Sequence, residues 1–170
     1  MRRVRYSVVM SLDGYIAGPQ GEADWITIDP EVDFTAIFSQ FDTLLVGRRT
    51  FDAMVTAGRA SMPGMKTIVF SRTLRQEDHP EVAIVMDGQQ ETLAALKAVP
   101  GKDIWLFGGG SLFRSLAEDG LVDTIEVGIV PILLGAGVPL LPSLQKRIKL
   151  SLTAHTVHRT GRVYLEYAIT

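Results

Sequence analysis

The chain has no cysteine, which removes thiol catalysis, disulfides and cysteine metal sites together. Histidine is nearly as scarce: His79, His155 and His158 lack the spacing of a zinc site, so redox chemistry needs an organic cofactor. Excess charge is missing as well. With 17 Lys+Arg against 19 Asp+Glu the formal charge is −2, and no global basic field exists to hold nucleic acid or an anionic membrane. An uninterrupted apolar run of membrane-spanning length is also absent. Val127 to Gln145 is uncharged, but Pro131, Pro139 and Pro142 with Gly128, Gly135 and Gly137 break it repeatedly as a helix. Arg2, Arg3 and Arg5 precede an apolar stretch as in a signal peptide, yet Ser7 and Ser11 interrupt that stretch and Asp13 stops it, so it reads as a buried strand. The expectation is a cytoplasmic protein with no nucleic-acid or membrane partner.

What is present suits one domain over residues 1–170: 46% apolar residues in 170 fill a real core, and no linker, repeat or low-complexity tract divides the chain. Short β-branched or aliphatic runs alternate with amphipathic windows. Strands are predicted over Val4–Met10, Thr43–Val46, Thr67–Phe70, Val82–Met86, Ile104–Phe107 and Thr124–Val130, several too continuously apolar for a one-sided sheet. Helices are predicted over Pro30–Gln40, Phe51–Ala57, Glu91–Val99 and Ser111–Glu118. After Pro142 alternation takes over: Leu150, Leu152 and Ala154, then Val163, Leu165 and Tyr167, mark two antiparallel strands joined through His158, Thr160 and Gly161. The fold class is therefore α/β, a three-layer α/β/α arrangement whose mixed, mostly parallel central sheet ends in an antiparallel hairpin.

Four segments carry chemistry. Ser11-Leu12-Asp13-Gly14-Tyr15-Ile16-Ala17-Gly18, running on through Gly21 to Trp25, is either a lid over a ligand or a surface loop pinned by a buried Trp25. Gly47-Arg48-Arg49-Thr50 follows a buried strand at a helix start, where free N–H groups attract anions. Thr50 is a candidate cap, and the arginine forks suit a phosphate. At Ser71-Arg72 a buried strand again ends in hydroxyls and an arginine, and no acid adjoins the arginines at either turn. Strand ends of one parallel sheet share an edge, where such sheets bind ligands. Gly108-Gly109-Gly110-Ser111-Leu112 is again strand, glycine turn and helix, open either to a pyrophosphate or to close helix packing. It is neither a Rossmann fingerprint nor a Walker loop.

The order Ser-Leu-Asp-Gly (11–14), Gly-Arg-Arg-Thr-Phe (47–51), Ser-Arg (71–72), Gly-Gly-Gly-Ser-Leu (108–112) and Leu-Val-Asp…Pro-Ile-Leu-Leu-Gly (121–135) resembles the dihydrofolate reductase-like superfamily. Within it the chain looks most like the reductase domain of the bifunctional riboflavin biosynthesis deaminase-reductase. The resemblance implies NADPH lying across the strand ends. Gly47, Arg48, Arg49 and Thr50 would then hold phosphates, and Ser71 with Arg72 the adenosine 2′-phosphate. Gly108, Gly109, Gly110, Ser111 and Leu112 would take the pyrophosphate, with Val9, Ile16 and Ala17 flanking the nicotinamide. It also implies hydride transfer to a small pyrimidine- or pterin-type heterocycle, in the riboflavin-type reaction to C1′ of a phosphoribosylaminopyrimidine. The zinc deaminase half is absent from this sequence. Dihydrofolate reduction instead needs an acid on the first helix; Asp29, Glu31 and Asp33 are on offer, Asp33 being best placed by its spacing to Gly47. The same acids also fit a dipole-compensating surface cluster, and a non-catalytic nucleotide-binding protein fits the fold. Relatives of this kind commonly pair, and the apolar Val127–Leu141 segment leads us to expect a homodimer.

Overall fold

The continuous apolar runs become the middle of one sheet, because only a strand covered on both faces can be apolar throughout. The computed structural model describes residues 1–170. In chain order the elements are β1 (Val4–Ser11), β2 (Tyr15–Ala17), α1 (Phe34–Phe38), β3 (Phe41–Gly47), α2 (Arg48–Thr56), β4 (Lys66–Phe70) and β5 (Ala83–Val85). They continue with α3 (Gln89–Ala98), β6 (Asp103–Gly108), α4 (Gly110–Glu118), β7 (Thr124–Val130), β8 (Val138–Pro139), β9 (Leu150–Val157) and β10 (Val163–Ile169). Eight strands form one sheet in the order β5-β4-β3-β6-β1-β7-β10-β9, and β2 pairs separately with β8. From β5 to β7 every pairing is parallel; β10 runs antiparallel to both β7 and β9.

Two apolar layers sandwich this sheet. On one face Val4, Tyr6, Leu45 and Leu106 pack under Leu93 of α3 and Leu112, Phe113 and Leu116 of α4. Tyr6 stacks on Phe113 with ring centroids 3.9 Å apart, and burial pushes its phenol pKa upward. On the other face Leu44, Val46, Val69 and Trp105 pack under Phe51 of α2, with Ile37 of α1 against them. The three-layer, mostly parallel sheet ending in a hairpin is thus the observed architecture.

Three local expectations are corrected. The helix expected over Pro30–Gln40 is only Phe34–Phe38, because Asp29 ahead of Pro30 is fully buried and turns the chain by accepting the Glu31 N–H at 3.0 Å. The helix expected from Phe51 begins at Arg48, because Gly47 is its N-cap, so Thr50 lies within the first turn rather than capping it. The Val127–Leu141 segment is covered only in part: β7 lies between β1 and β10, and Leu140 and Leu141 rest on the core, while Leu133 and Val138 stay exposed. The edge strand β9 adds a second exposed apolar group, at Leu150, Leu152 and Val157. No helix is long and apolar enough to cross a membrane.

Candidate functional site

A parallel sheet ends all its strands on one edge, so the turns after β1, β3, β4 and β6 face a common space. That space is a cleft of about 1980 Å³. Its wall includes Val9, Ile16, Ala17, Gly47, Arg48, Arg49, Thr50, Ser71, Arg72, Gly109, Gly110, Ser111 and Leu112, segments far apart in the chain. Gly108 is buried directly behind them, joined to Gly109 by a cis peptide bond.

Each segment is positioned by a local cause. Gly47 has extended backbone and no side-chain cap, so the first turn of α2 leaves its N–H groups open. Arg48 donates to the Thr73 hydroxyl and lies 3.5 Å from Asp52, so an acid does adjoin one arginine, a turn along the helix where adjacency in sequence does not show it. Arg49 and Arg72 make no ion pair. Ser71 is a turn-former: its hydroxyl accepts the Leu74 N–H at 3.2 Å, and its own N–H donates to Val85 at 3.0 Å, which aims Arg72 outward. Gly108 has φ +134°, a backbone open to glycine, and Gly109 begins α4 without a side-chain cap. Gly110 also has a packing reason. A Cβ there would lie 2.9 Å from the Leu140 carbonyl and 3.0 Å from Pro142 Cδ.

The Ser11–Trp25 segment divides into two parts. Its root is fastened: the Ser11 hydroxyl, with the N–H groups of Gly135 (2.7 Å) and Leu134 (3.1 Å), holds the Asp13 carboxyl below the ordinary carboxylate range. Beyond it, Gln20, Gly21, Ala23, Ile26, Thr27 and Ile28 roof the cleft, as a lid would, while Trp25 is only half-buried and its indole N–H lacks a partner.

The three candidate acids separate. Asp33 is exposed and caps α1, accepting the Ala36 N–H at 2.9 Å, while its neighbours Val32 and Phe34 line the cleft. Glu31 accepts the Arg159 N–H at 3.1 Å. Asp29 lies beside His158 Nδ1 (2.9 Å), the Thr160 hydroxyl (3.1 Å) and the Tyr164 hydroxyl (3.4 Å). Burial pushes its pKa up, but the Glu31 N–H, His158 and Thr160 outweigh that and leave it below the ordinary value. Arg162, also buried, donates to the Thr27 carbonyl and to the Thr27 hydroxyl at 3.0 Å. Asp29 and Arg162 therefore clasp the roof loop to the β9–β10 hairpin.

Sequence reasoning missed Glu126, Glu166 and Tyr164, which line the cleft floor. The available signal was Glu126 itself, an acid inside the apolar run of β7. Arg5 neutralises it with a fork, Nε to Oε1 at 2.5 Å and Nη2 to Oε2 at 2.9 Å. Tyr164 lies over Gly128, where a Cβ would meet the ring at 2.7 Å.

The sequence matches the family model of the RibD C-terminal domain over residues 2–164. It is 35% identical over 178 residues to the uncharacterized protein YyaP of Bacillus subtilis (strain 168), an alignment covering 98% of this chain and 94% of that one. A Shewanella sp. PV-4 protein named for riboflavin biosynthesis has a similar crystal structure, with TM-score 0.83 at 28% identity over 100% of this chain and 99% of the other. Enterococcus faecalis dihydrofolate reductase, solved with NADP(H), shares the fold, with TM-score 0.72 at 20% identity over 99% and 96% of the two chains.

Proposed function

The chain belongs to the RibD C-terminal domain family, and from that premise we propose that it is an NADPH-dependent reductase transferring hydride to a pyrimidine- or pterin-type heterocycle, in the manner of the riboflavin-pathway reductase. The observation that carries this reading is the meeting of two uncapped helix starts and three arginines on the wall of one cleft. Those groups suit a phosphorylated dinucleotide: the first-turn N–H groups of α2 and α4 are open to anions, and glycine lets the backbone approach closely. Gly47 to Thr50 and Gly109 to Leu112 would hold the phosphates, and Ser71 with Arg72 the 2′-phosphate. Val9, Ile16 and Ala17 would flank the nicotinamide ring. NADPH bound there supplies a hydride. The roof from Gln20 to Ile28 keeps water from the reacting carbon, and the Asp29–Arg162 clasp sets the height of that roof.

The test is a titration of NADPH followed by its fluorescence, then NADPH oxidation with the phosphoribosylaminopyrimidine and with dihydrofolate. Binding plus turnover of either compound supports the reading; no NADPH binding overturns it. Asp33→Asn belongs in the same assay, since asparagine caps a helix as well as aspartate does and the change isolates the charge. Turnover within twofold of wild type is expected, assigning Asp33 to the cap; a large loss at unchanged NADPH affinity assigns it to the substrate.

We also propose a homodimer. All eight residues of the edge strand β9 are exposed, and Leu150, Leu152 and Val157 offer apolar surface beside unpaired backbone groups, a template for a second copy. Light scattering is expected to give about twice 18.6 kDa. A mass of one chain at every concentration overturns the pairing.

A further inference from the structure

Away from the arginines the same cleft changes sign. Ser7 of β1, Glu126 of β7, Glu166 of β10 and Ala154 of β9 are successive partners across four adjacent strands, so their side chains stand in one row on one face of the sheet. All four line the cleft. Glu126 is occupied by the Arg5 fork, whereas the Glu166 carboxylate makes no hydrogen bond or ion pair. An aromatic wall flanks the row. Trp105 and Phe107 meet edge to face at 5.2 Å, and Phe38 stacks on Trp105 at 5.4 Å. Phe34 and Phe38 remain 39% and 40% exposed although both face the cleft, leaving ring surface for a flat ligand.

Cations are distributed the other way. Arg48, Arg49 and Arg72 all sit where β3 and β4 end, and Arg162 is buried against Thr27 with Asp29 3.9 Å away. His155 pairs with Leu165, one residue out of step with Glu166, so it reaches the cleft only at the β9 edge and not from the row that holds Glu166. A phosphate in this half would meet Glu166 with no free arginine or lysine beside it.

We infer that the substrate half of the cleft takes a flat, unphosphorylated heterocycle, stacked on the Phe38–Trp105 wall with ring N–H groups toward Glu166, and that Glu166 is the residue that turns phosphate esters away. The inference rests on the reductase reading and narrows it, since the riboflavin-type substrate is itself a phosphate ester. A charge-assisted hydrogen bond to Glu166 favours a donor edge, while like charge disfavours phosphate.

The test titrates the NADPH-saturated chain with 5-amino-6-(ribosylamino)uracil and with its 5′-phosphate, two probes that differ only in the phosphate, reading tryptophan fluorescence. The unphosphorylated compound is expected to bind at least about tenfold more tightly, Glu166→Gln to weaken it about tenfold, and Glu166→Lys to reverse the preference. Equal or tighter binding of the ester by wild type, an unaltered preference in Glu166→Lys, or no binding of either probe each overturns the assignment. Failure of the reductase reading shows separately, as absence of any NADPH fluorescence change. In that case the same titrations on the NADPH-free chain decide the inference by their dependence on Glu166.

Discussion

Replacing Arg72 with alanine is expected to weaken NADPH binding about tenfold or more and to leave NADH almost untouched. The two cofactors differ by one phosphate, and a charge-assisted contact of this kind contributes roughly 1.5 to 3 kcal/mol. Arg72 follows Ser71, whose hydroxyl is consumed in holding the turn, and its own guanidinium makes no hydrogen bond or ion pair in the structure. Arg48 differs, since its guanidinium already serves Thr73 and lies near Asp52. Arg48→Ala should therefore cost less than Arg72→Ala, with Arg49→Ala between them or equal to the larger. Titrations of both cofactors at one ionic strength give the comparison, because screening weakens every phosphate contact. Parallel losses for NADPH and NADH in all three variants would place the arginines on the shared pyrophosphate. Equal wild-type affinities would remove the 2′-phosphate site altogether.

The second large effect is expected from a single methyl group. Gly110→Ala puts a Cβ 2.9 Å from the Leu140 carbonyl and 3.1 Å from that of Pro139, and backbone atoms do not step aside as a side-chain tip does. Overpacking of this sort costs about 1 to 3 kcal/mol. For a chain of this size each kcal/mol lowers Tm by roughly 2 to 4 °C. The damage should also reach the cleft: β8 includes Pro139 and pairs with β2, which carries Ile16 and Ala17, so pushing the crossing away from α4 moves the wall proposed to flank the nicotinamide. Ser111→Ala, one residue along and exposed, is the control, with a shift in Tm too small to matter. An unchanged Tm in Gly110→Ala would mean that the crossing does not rest on the start of α4.

How much of this was legible beforehand depended on how local each cause is. The inner strands announced themselves because burial on both faces leaves little room for polar residues, and Thr124–Val130 was placed to the residue. The strand-turn-helix grammar at Gly47 and Gly108 also showed, as did the strand end at Ser71, since each unit is contiguous. Asp29 did not. Its partners are His158, Thr160 and Tyr164, more than a hundred residues later, so nothing near it distinguishes a buried clasp from a surface acid. The extent of α1 was misjudged for the same reason, because that clasp fixes the turn ahead of it. Glu126 is an acid inside an apolar run, but its face is set by strand register with Ser7 and Glu166, which pattern alone does not supply.

The position of β1 bears on how the protein is made. Both neighbours of this strand lie far downstream: β6 begins at Asp103 and β7 at Thr124. During synthesis β1 leaves the ribosome with both hydrogen-bonding edges bare, and it stays so until about a hundred further residues have been added. At 5 to 20 residues per second that interval is roughly 5 to 20 s, long compared with the microseconds in which a hairpin closes. The nascent chain therefore carries a bare apolar strand of the kind that recruits chaperones or pairs with a neighbouring chain. Ribosomes paused before Asp103 should display a protease-sensitive segment at Val4–Ser11, and protection should appear only once Val130 has emerged.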